Sequence, residues 1–321
     1  MALAAAGALA LLVSASAQAS TLTVGSVLPP VTTSKPFKEV MTLFNTTLPE
    51  KGANLTSPVS GAIVRWRLQG ASGGPFYLRV LRPNGSGAYT AEGTSGAATV
   101  SGTGLQTFTA NLPIKAGDLI GVDPTSATDE IGFATVGGSA YASIFPTPFD
   151  GATVPPRPTQ SGEEIELSAE VEPAPTISSV APSAGSIAGG TTVTISGTNF
   201  TAANAVNFGT TPASSFTVES DSKITAIAPP SSVPGMVDVS VSSLAGTSPA
   251  VREEDKFTYT ACVVPRLKGR GLIPARRALT RANCKLGKVT GHRRGSAKVA
   301  KQSPNPGTIL PAGAKVNLKV R

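Results

Sequence analysis

Apolar and polar residues alternate in short runs along most of this chain, and glycine and proline cut the runs apart. In GAIVRWRLQG, Val64, Trp66 and Leu68 alternate with Arg65 and Arg67. In PFYLRVLRPNGSG, Phe76, Leu78 and Val80 alternate with Tyr77, Arg79 and Leu81 before a Pro-Asn-Gly turn. A period of two places successive side chains on opposite faces, so both stretches predict antiparallel strands buried on one side. FTANLPIKAGDLIGVDP supplies two more strands about a Gly-Asp turn. EEIELSAEVE alternates Ile165, Leu167, Ala169 and Val171 with Glu164, Glu166, Ser168, Glu170 and Glu172, which predicts one last strand with its acidic face in water. Residues 20–172 therefore read as an antiparallel β-sandwich of jelly-roll type. Trp66, in phase with Val64 and Leu68, is expected in its core.

The pattern continues after a proline-rich break, VEPAPTISSV, which predicts a short, stiff linker around Pro173 and Pro175. Val193 and Ile195 alternate with Thr192 and Thr194 as a strand. Gly197 and Asn199 suit a turn with positive φ, Phe208 suits a core, Gly209 a turn, and Pro229-Pro230 ends a strand. Only near the C-terminus does the period lengthen. Ala275, Ala278, Leu279 and Ala282 fall at helical spacing, with Arg276, Arg277 and Arg281 on the other face. The closing stretch QSPNPGTILPAGAKVNLKVR predicts a turn at Pro304, Pro306 and Gly307, a short strand with Ile309 and a reversal at Pro311-Ala312-Gly313. In its last strand Val316, Leu318 and Val320 point inward, and Lys315, Lys319 and Arg321 point outward. A mostly β chain of 321 residues suits several domains. The expected boundaries are 1–19, 20–172, 175–260 and 261–321.

Charge divides the chain more sharply than hydropathy does. The net charge is +8, but residues 261–321 hold fifteen of the 27 Lys/Arg and none of the nineteen acids. The remaining twelve cations and all nineteen acids give residues 1–260 a net charge of −7. Solvated surfaces ordinarily mix both signs, so a one-signed segment points to a polyanionic partner. Docking of this segment on the acidic stretch 163–172 would explain the division equally well. Residues 1–19, MALAAAGALALLVSASAQA, have an apolar run and the small-x-small ending Ala17-Gln18-Ala19 of an export signal, though no Lys or Arg precedes the run. No later stretch reaches the ~18 apolar residues of a membrane span. In an exported chain Cys262 and Cys284, the only cysteines, are expected to form a disulfide. Closing that loop stabilises a small unit by about 3 kcal/mol.

Catalytic and metal-binding arrangements do not emerge. The single histidine, His292, lies in the basic loop GHRRG with no carboxylate nearby in sequence to orient it. Two cysteines expected to pair leave no His/Cys metal set. The Asp123 and Asp129/Glu130 region lacks the repeated oxygen spacing of a calcium loop. Glu163 and Glu164 are adjacent on a strand and so face opposite ways, which excludes them as paired glycosidase acids. No phosphate-binding glycine loop precedes a helix. No enzyme activity, cofactor or metal is expected.

Two segments resemble known families. PTISSVAPSAGSIAGGTTVTISGTNF, with VNFGTTPA, ITAIAPP and GMVDVSV, resembles an IPT/TIG domain, an immunoglobulin-like sandwich, over about 175–260. Residues 262–321 resemble a PASTA domain, a small α+β unit, from Val264-Pro265 through Gln302-Ser303-Pro304 to the final strand. PASTA domains occur on penicillin-binding proteins and sensor kinases and are associated with peptidoglycan. The resemblance thus implies a secreted, wall-associated protein binding peptidoglycan or another anionic wall polymer. The residues expected to carry that binding are Arg276, Arg277, Arg281, Lys285, Arg293, Arg294 and Lys298. The alternative is an adhesin or carbohydrate-binding protein acting through the N-terminal sandwich, with the loop residues Tyr89 and Tyr141 as contacts and the other modules as spacers. A purely structural surface protein is a further alternative. No nucleic acid is expected, because no aromatics interleave the basic residues.

Overall fold

The computed structural model describes residues 21–250, 253–291 and 297–321. The expected export signal at 1–19, and His292, Arg293 and Arg294, lie outside the described residues. The described residues are mostly β, with one α-helix among them. Its buried apolar side chains gather around three successive cores, spanning 24–171, 180–261 and 262–320.

The first core lies between two antiparallel sheets. One runs in the order Leu22–Gly25, Leu167–Pro173, Gly61–Leu68, Gln106–Ile114. The larger runs from Thr153–Val154 through Tyr89–Thr94, Tyr77–Pro83, Leu119–Asp123, Thr42–Thr47 and Glu130–Ile144 to Gln160–Ile165. Thr33–Pro36 also pairs with the long strand Glu130–Ile144. Trp66, Phe76, Leu78 and Val80 fill the space between the sheets, as their phase predicts. The Trp66 ring sits 4.6 Å from that of Phe108.

Two expectations for this sandwich are corrected. Arg79 and Leu81, expected on a solvated face, are both buried, because Tyr77–Pro83 is an inner strand of a sheet covered on both sides. Leu81 joins Phe44, Leu119, Ala142 and Ile144 in a second small core on the outer side. The acidic stretch also differs. It forms two strands, Gln160–Ile165 and Leu167–Pro173, and the chain crosses from the large sheet to the small one at Glu166. Glu164, Glu166, Ser168 and Glu170 are all buried there, so the predicted acidic face is not in water.

The second core is enclosed by the sheet Thr176–Ala181, Thr192–Thr198, Lys223–Ile227, Ser215–Ser220 and by a second sheet. That second sheet is built on Ala184–Ser186, Lys256–Val263, Gly235–Ser243, Ala205–Phe208 and Thr211–Pro212. Phe200, Phe208 and Phe257 are fully buried in it. Asn199 adopts the expected positive φ of 60°. Gly197 does not; it is a strand residue whose added Cβ would lie 1.8 Å from the Thr176 carbonyl oxygen, so its smallness is steric.

The third core lies between the helix Leu272–Arg281 and a three-stranded sheet in the order Lys285–Gly291, Lys315–Val320, Val299–Ser303. No linker separates it from the second. Strand Lys256–Val263 pairs through Met236↔Thr258 in the second unit and, three residues on, through Ala261↔Pro311 and Val263↔Ile309 with the terminal one.

Candidate functional site

The terminal unit is assembled by three local devices. Ala275 and Leu279 are buried under the helix, and Leu272, Ala278 and Ala282 pack half-buried beside them. Asn283 then takes a left-handed conformation, φ 54°. The backbone N–H of Cys284 donates to the Leu279 carbonyl at 2.8 Å and that of Asn283 to Thr280 at 3.2 Å. This pair of bonds satisfies the last helical carbonyls and turns the chain sharply. The turn delivers Cys284 to Cys262, and the two form a disulfide with Cα atoms 4.7 Å apart. Gln302 closes the third connection: its side-chain carbonyl accepts from Leu267 N at 2.7 Å, and its amide donates to the Pro265 carbonyl at 2.9 Å.

With the apolar stripe turned inward, Arg276, Arg277 and Arg281 are exposed on the other side of the helix. Lys285 is exposed just beyond the helix C-terminus. Lys298 is exposed near its start, where it bridges to Gly271. The five described members of the predicted site therefore flank one helix; Arg293 and Arg294 lie outside the described residues. Lys315 and Lys319 face outward as the alternation predicts, and Lys288 and Lys301, for which no orientation was predicted, are exposed on the sheet with them. Alternation was the available signal, because Val316, Leu318 and Val320 point to the helix and force Lys315 and Lys319 to the other face.

Among the described residues, no ion pair involves a cation of 261–321. The acids of the preceding units are engaged closer to home. Lys35 pairs with Glu163, Arg65 and Arg67 both pair with Glu170, and Arg82 chelates Asp118 through two bonds of 2.8 Å. Of the acids in 163–172, Glu163 and Glu170 are thus paired and Glu164 and Glu166 buried, while Glu172 is half-buried with no ion pair among the described residues.

Asp123, Asp129, Glu163 and Glu164 each meet partners within the sandwich. Asp129 accepts backbone N–H bonds from Gly74, Thr125 and Ser126. Asp123 is buried, accepting from Arg79 at 2.7 Å and from the Thr42 hydroxyl at 2.5 Å. Burial pushes its carboxyl above the usual range despite Arg79. Glu163 and Glu164 do face different surroundings, the first meeting Lys35 and the second the Ser26 hydroxyl at 2.6 Å. Among the described residues, no group of three His, Cys, Asp or Glu is placed to hold a metal ion.

The N-terminal sandwich contains a cavity of about 650 Å³, lined among others by Lys35, Phe37, Phe133, Tyr141, Arg157 and Gln160. Tyr141, expected in a loop, lies in strand Glu130–Ile144 and is buried, its hydroxyl donating to Gln160 Oε1 at 2.8 Å. Tyr89 is also a strand residue, packed edge-on at 4.8 Å against Phe44.

Comparison with known proteins places both C-terminal segments. Residues 175–259 match the family model of the IPT/TIG domain, and residues 263–321 match that of the PASTA domain. Both are non-catalytic binding modules. The PASTA domain points to cell-wall-related binding and, with the disulfide, to an extracellular or cell-envelope location. No curated protein matches the chain. Among solved structures, it is similar to the Plexin A4 full extracellular region, at 14% identity and a TM-score of 0.25, over 77% of this chain and 19% of that one. It is also similar to the gamma-CGTase of Alkalophilic bacillus clarkii, at 18% identity and a TM-score of 0.24, over 68% and 26%. The chain thus spans only a minor part of each. Among the described residues, no helix is long and apolar enough to cross a membrane.

Proposed function

We propose that this chain, which carries an IPT/TIG domain followed by a PASTA domain, is a non-enzymatic envelope protein that holds peptidoglycan or another anionic wall polymer through its basic terminal unit. One observation carries this reading: thirteen of the fifteen Lys/Arg of 261–321 are described, all are exposed, and none is in an ion pair. Lys and Arg on a disulfide-clamped scaffold attract carboxylates and phosphates, and salt weakens that attraction. The N-terminal sandwich and the Ig-like unit then act as head and spacer.

The test is retention of the full chain on purified sacculi. Binding is expected at low salt, release is expected as ionic strength rises, and the Arg276→Gln/Arg277→Gln/Arg281→Gln variant is expected to be held less well. Wild-type chain that stays in the supernatant at low salt would overturn the reading.

A second reading is favoured by the cavity around Tyr141. Aromatic edges beside an amide, a hydroxyl and Arg157 suit a carbohydrate, which presents apolar faces and hydroxyls together. Glycan-array binding by the full chain, abolished by Arg157→Gln, would support it. No binding to any glycan would sink it.

A further inference from the structure

The sheet of the terminal unit carries a groove that alternation along its strands did not mark. It measures about 290 Å³ and is lined by Lys288, Thr290, Lys301, Ser303, Asn317 and Lys319, among others. Its shape comes from a bulge. Register along the strand pair Lys285–Gly291 and Lys315–Val320 slips between Leu286 and Val289, so Gly287 and Lys288 step out of line. Asn317 fills the gap, its Oδ1 accepting from the Lys288 backbone N–H at 2.7 Å. Position 287 must be glycine for this, since a Cβ would lie 2.2 Å from that oxygen. A bulge of this kind re-aims the side chain it carries. Among the described residues, the Asn317 amide nitrogen donates to no protein acceptor and is free to serve a ligand.

The charges in this sheet are arranged against the interest of folding. Lys301 stands directly opposite Lys319 across one strand pair, and Lys285 opposite Lys315 across the other. Like charges in cross-strand register repel, and residues 261–321 hold no Asp or Glu side chain to separate them. An anion seated between the ammonium groups removes that repulsion.

We propose that this groove is an anion-recognition site, in which Lys288, Lys301 and Lys319 hold a carboxylate or phosphate group of the wall polymer and the Asn317 amide donates to it. The proposal rests on the wall-binding reading above and names the surface that performs it. Lysines act as point charges without the fork of arginine, so the groove selects by charge density more than by planar geometry. The arginines of the helix supply the longer-range attraction.

A charge-matched comparison tests this. The full chain is compared with Lys288→Gln/Lys301→Gln/Lys319→Gln and with Arg276→Gln/Arg277→Gln/Arg281→Gln on purified sacculi. Both variants lose three positive charges, so nonspecific attraction falls equally. The groove variant should bind about tenfold more weakly than the helix variant, as loss of a charge-assisted hydrogen bond implies. Lys301→Gln alone should bind more weakly yet melt no lower than wild type, since it relieves a repulsive pair; a merely structural lysine would lower both. Sacculi stripped of phosphate-containing polymers identify the source. Unchanged retention assigns the anion to peptide-stem carboxylates, and lost retention assigns it to phosphodiesters. Equal retention of the two triple variants overturns the groove and leaves the wall-binding reading standing, whereas failure of the wild type to bind any sacculi overturns that reading itself.

Discussion

Glu164 and Glu166 are the residues whose environment departs furthest from what their chemistry favours. Both are fully buried at the point where the chain changes sheets, and neither Glu166 oxygen has a hydrogen-bond partner. Burial is the main cause that raises Glu164 to about 7 and Glu166 to about 8; Glu50 adds to both, and the charge of Glu164 adds to the rise at Glu166. The ordinary value is 4.5, so between these limits the folded chain binds more protons than the unfolded one. The stability they permit is full below about pH 4.5 and is lost as pH rises through 7 and 8. The single tryptophan, Trp66, lies in this core and reports on it alone. Its fluorescence-detected melting point is expected to fall between pH 6 and pH 9, and Glu166→Gln is expected to flatten that fall. Arg79 and Asp123 make the opposite case. Arg79→Met strands a buried carboxylate and is expected to cost about 3–5 kcal/mol in a denaturation followed at Trp66.

At the level of the element, strands with one wet face were legible and strands with two dry ones were not. Lys315–Val320 could be oriented from alternation alone, because its polar phase reaches solvent, whereas in Gly61–Leu68 the phase slips at a bulge between Ile63 and Arg65, so that Ile63 and not Val64 joins Trp66 and Leu68 in the core. Tyr77–Pro83 shows the same alternation, yet its polar phase holds Arg79, whose charge is met by Asp123 and Asp150 from elsewhere in the sandwich. Nothing local announces a long-range ion pair. The helix and the outward placement of its arginines were legible, since a 3.6-residue stripe needs no partner to be seen. The groove was not read, because it depends on a one-residue bulge and on a glycine whose need is visible only against Asn317. The disulfide belongs to this scale too. Reduction should lower the stability of the terminal unit by about 3 kcal/mol, measured by amide hydrogen exchange over 262–321. The Trp66 transition should be unaffected, because that core shares no member with the terminal one.

At the scale of the whole molecule, the division of charge finds no outlet among the described residues. The acids at 163–170 are buried or held by Lys35, Arg65 and Arg67, and among the described residues the terminal cations form no ion pair. A chain folded back on itself by this attraction would extend when salt is added. Here the radius of gyration from small-angle scattering is expected to stay constant from low to high ionic strength; expansion with salt would show that the basic unit docks internally after all.

The strand Lys256–Val263 carries one more consequence. It lies parallel to Ala184–Ser186, close to where the chain enters the Ig-like unit, with Ala184↔Thr258 and Ser186↔Thr260 in register. Beyond Val263 it leads straight into the unit proposed to grip the wall. If that end is held and the other is tugged, the two parallel strands are drawn in opposite directions along their own axes. Their lateral hydrogen bonds are then strained together, not opened one by one like a zipper. The join between spacer and anchor is therefore arranged as a brace against traction, the kind of load that a molecule tethered between a surface and its surroundings has to bear.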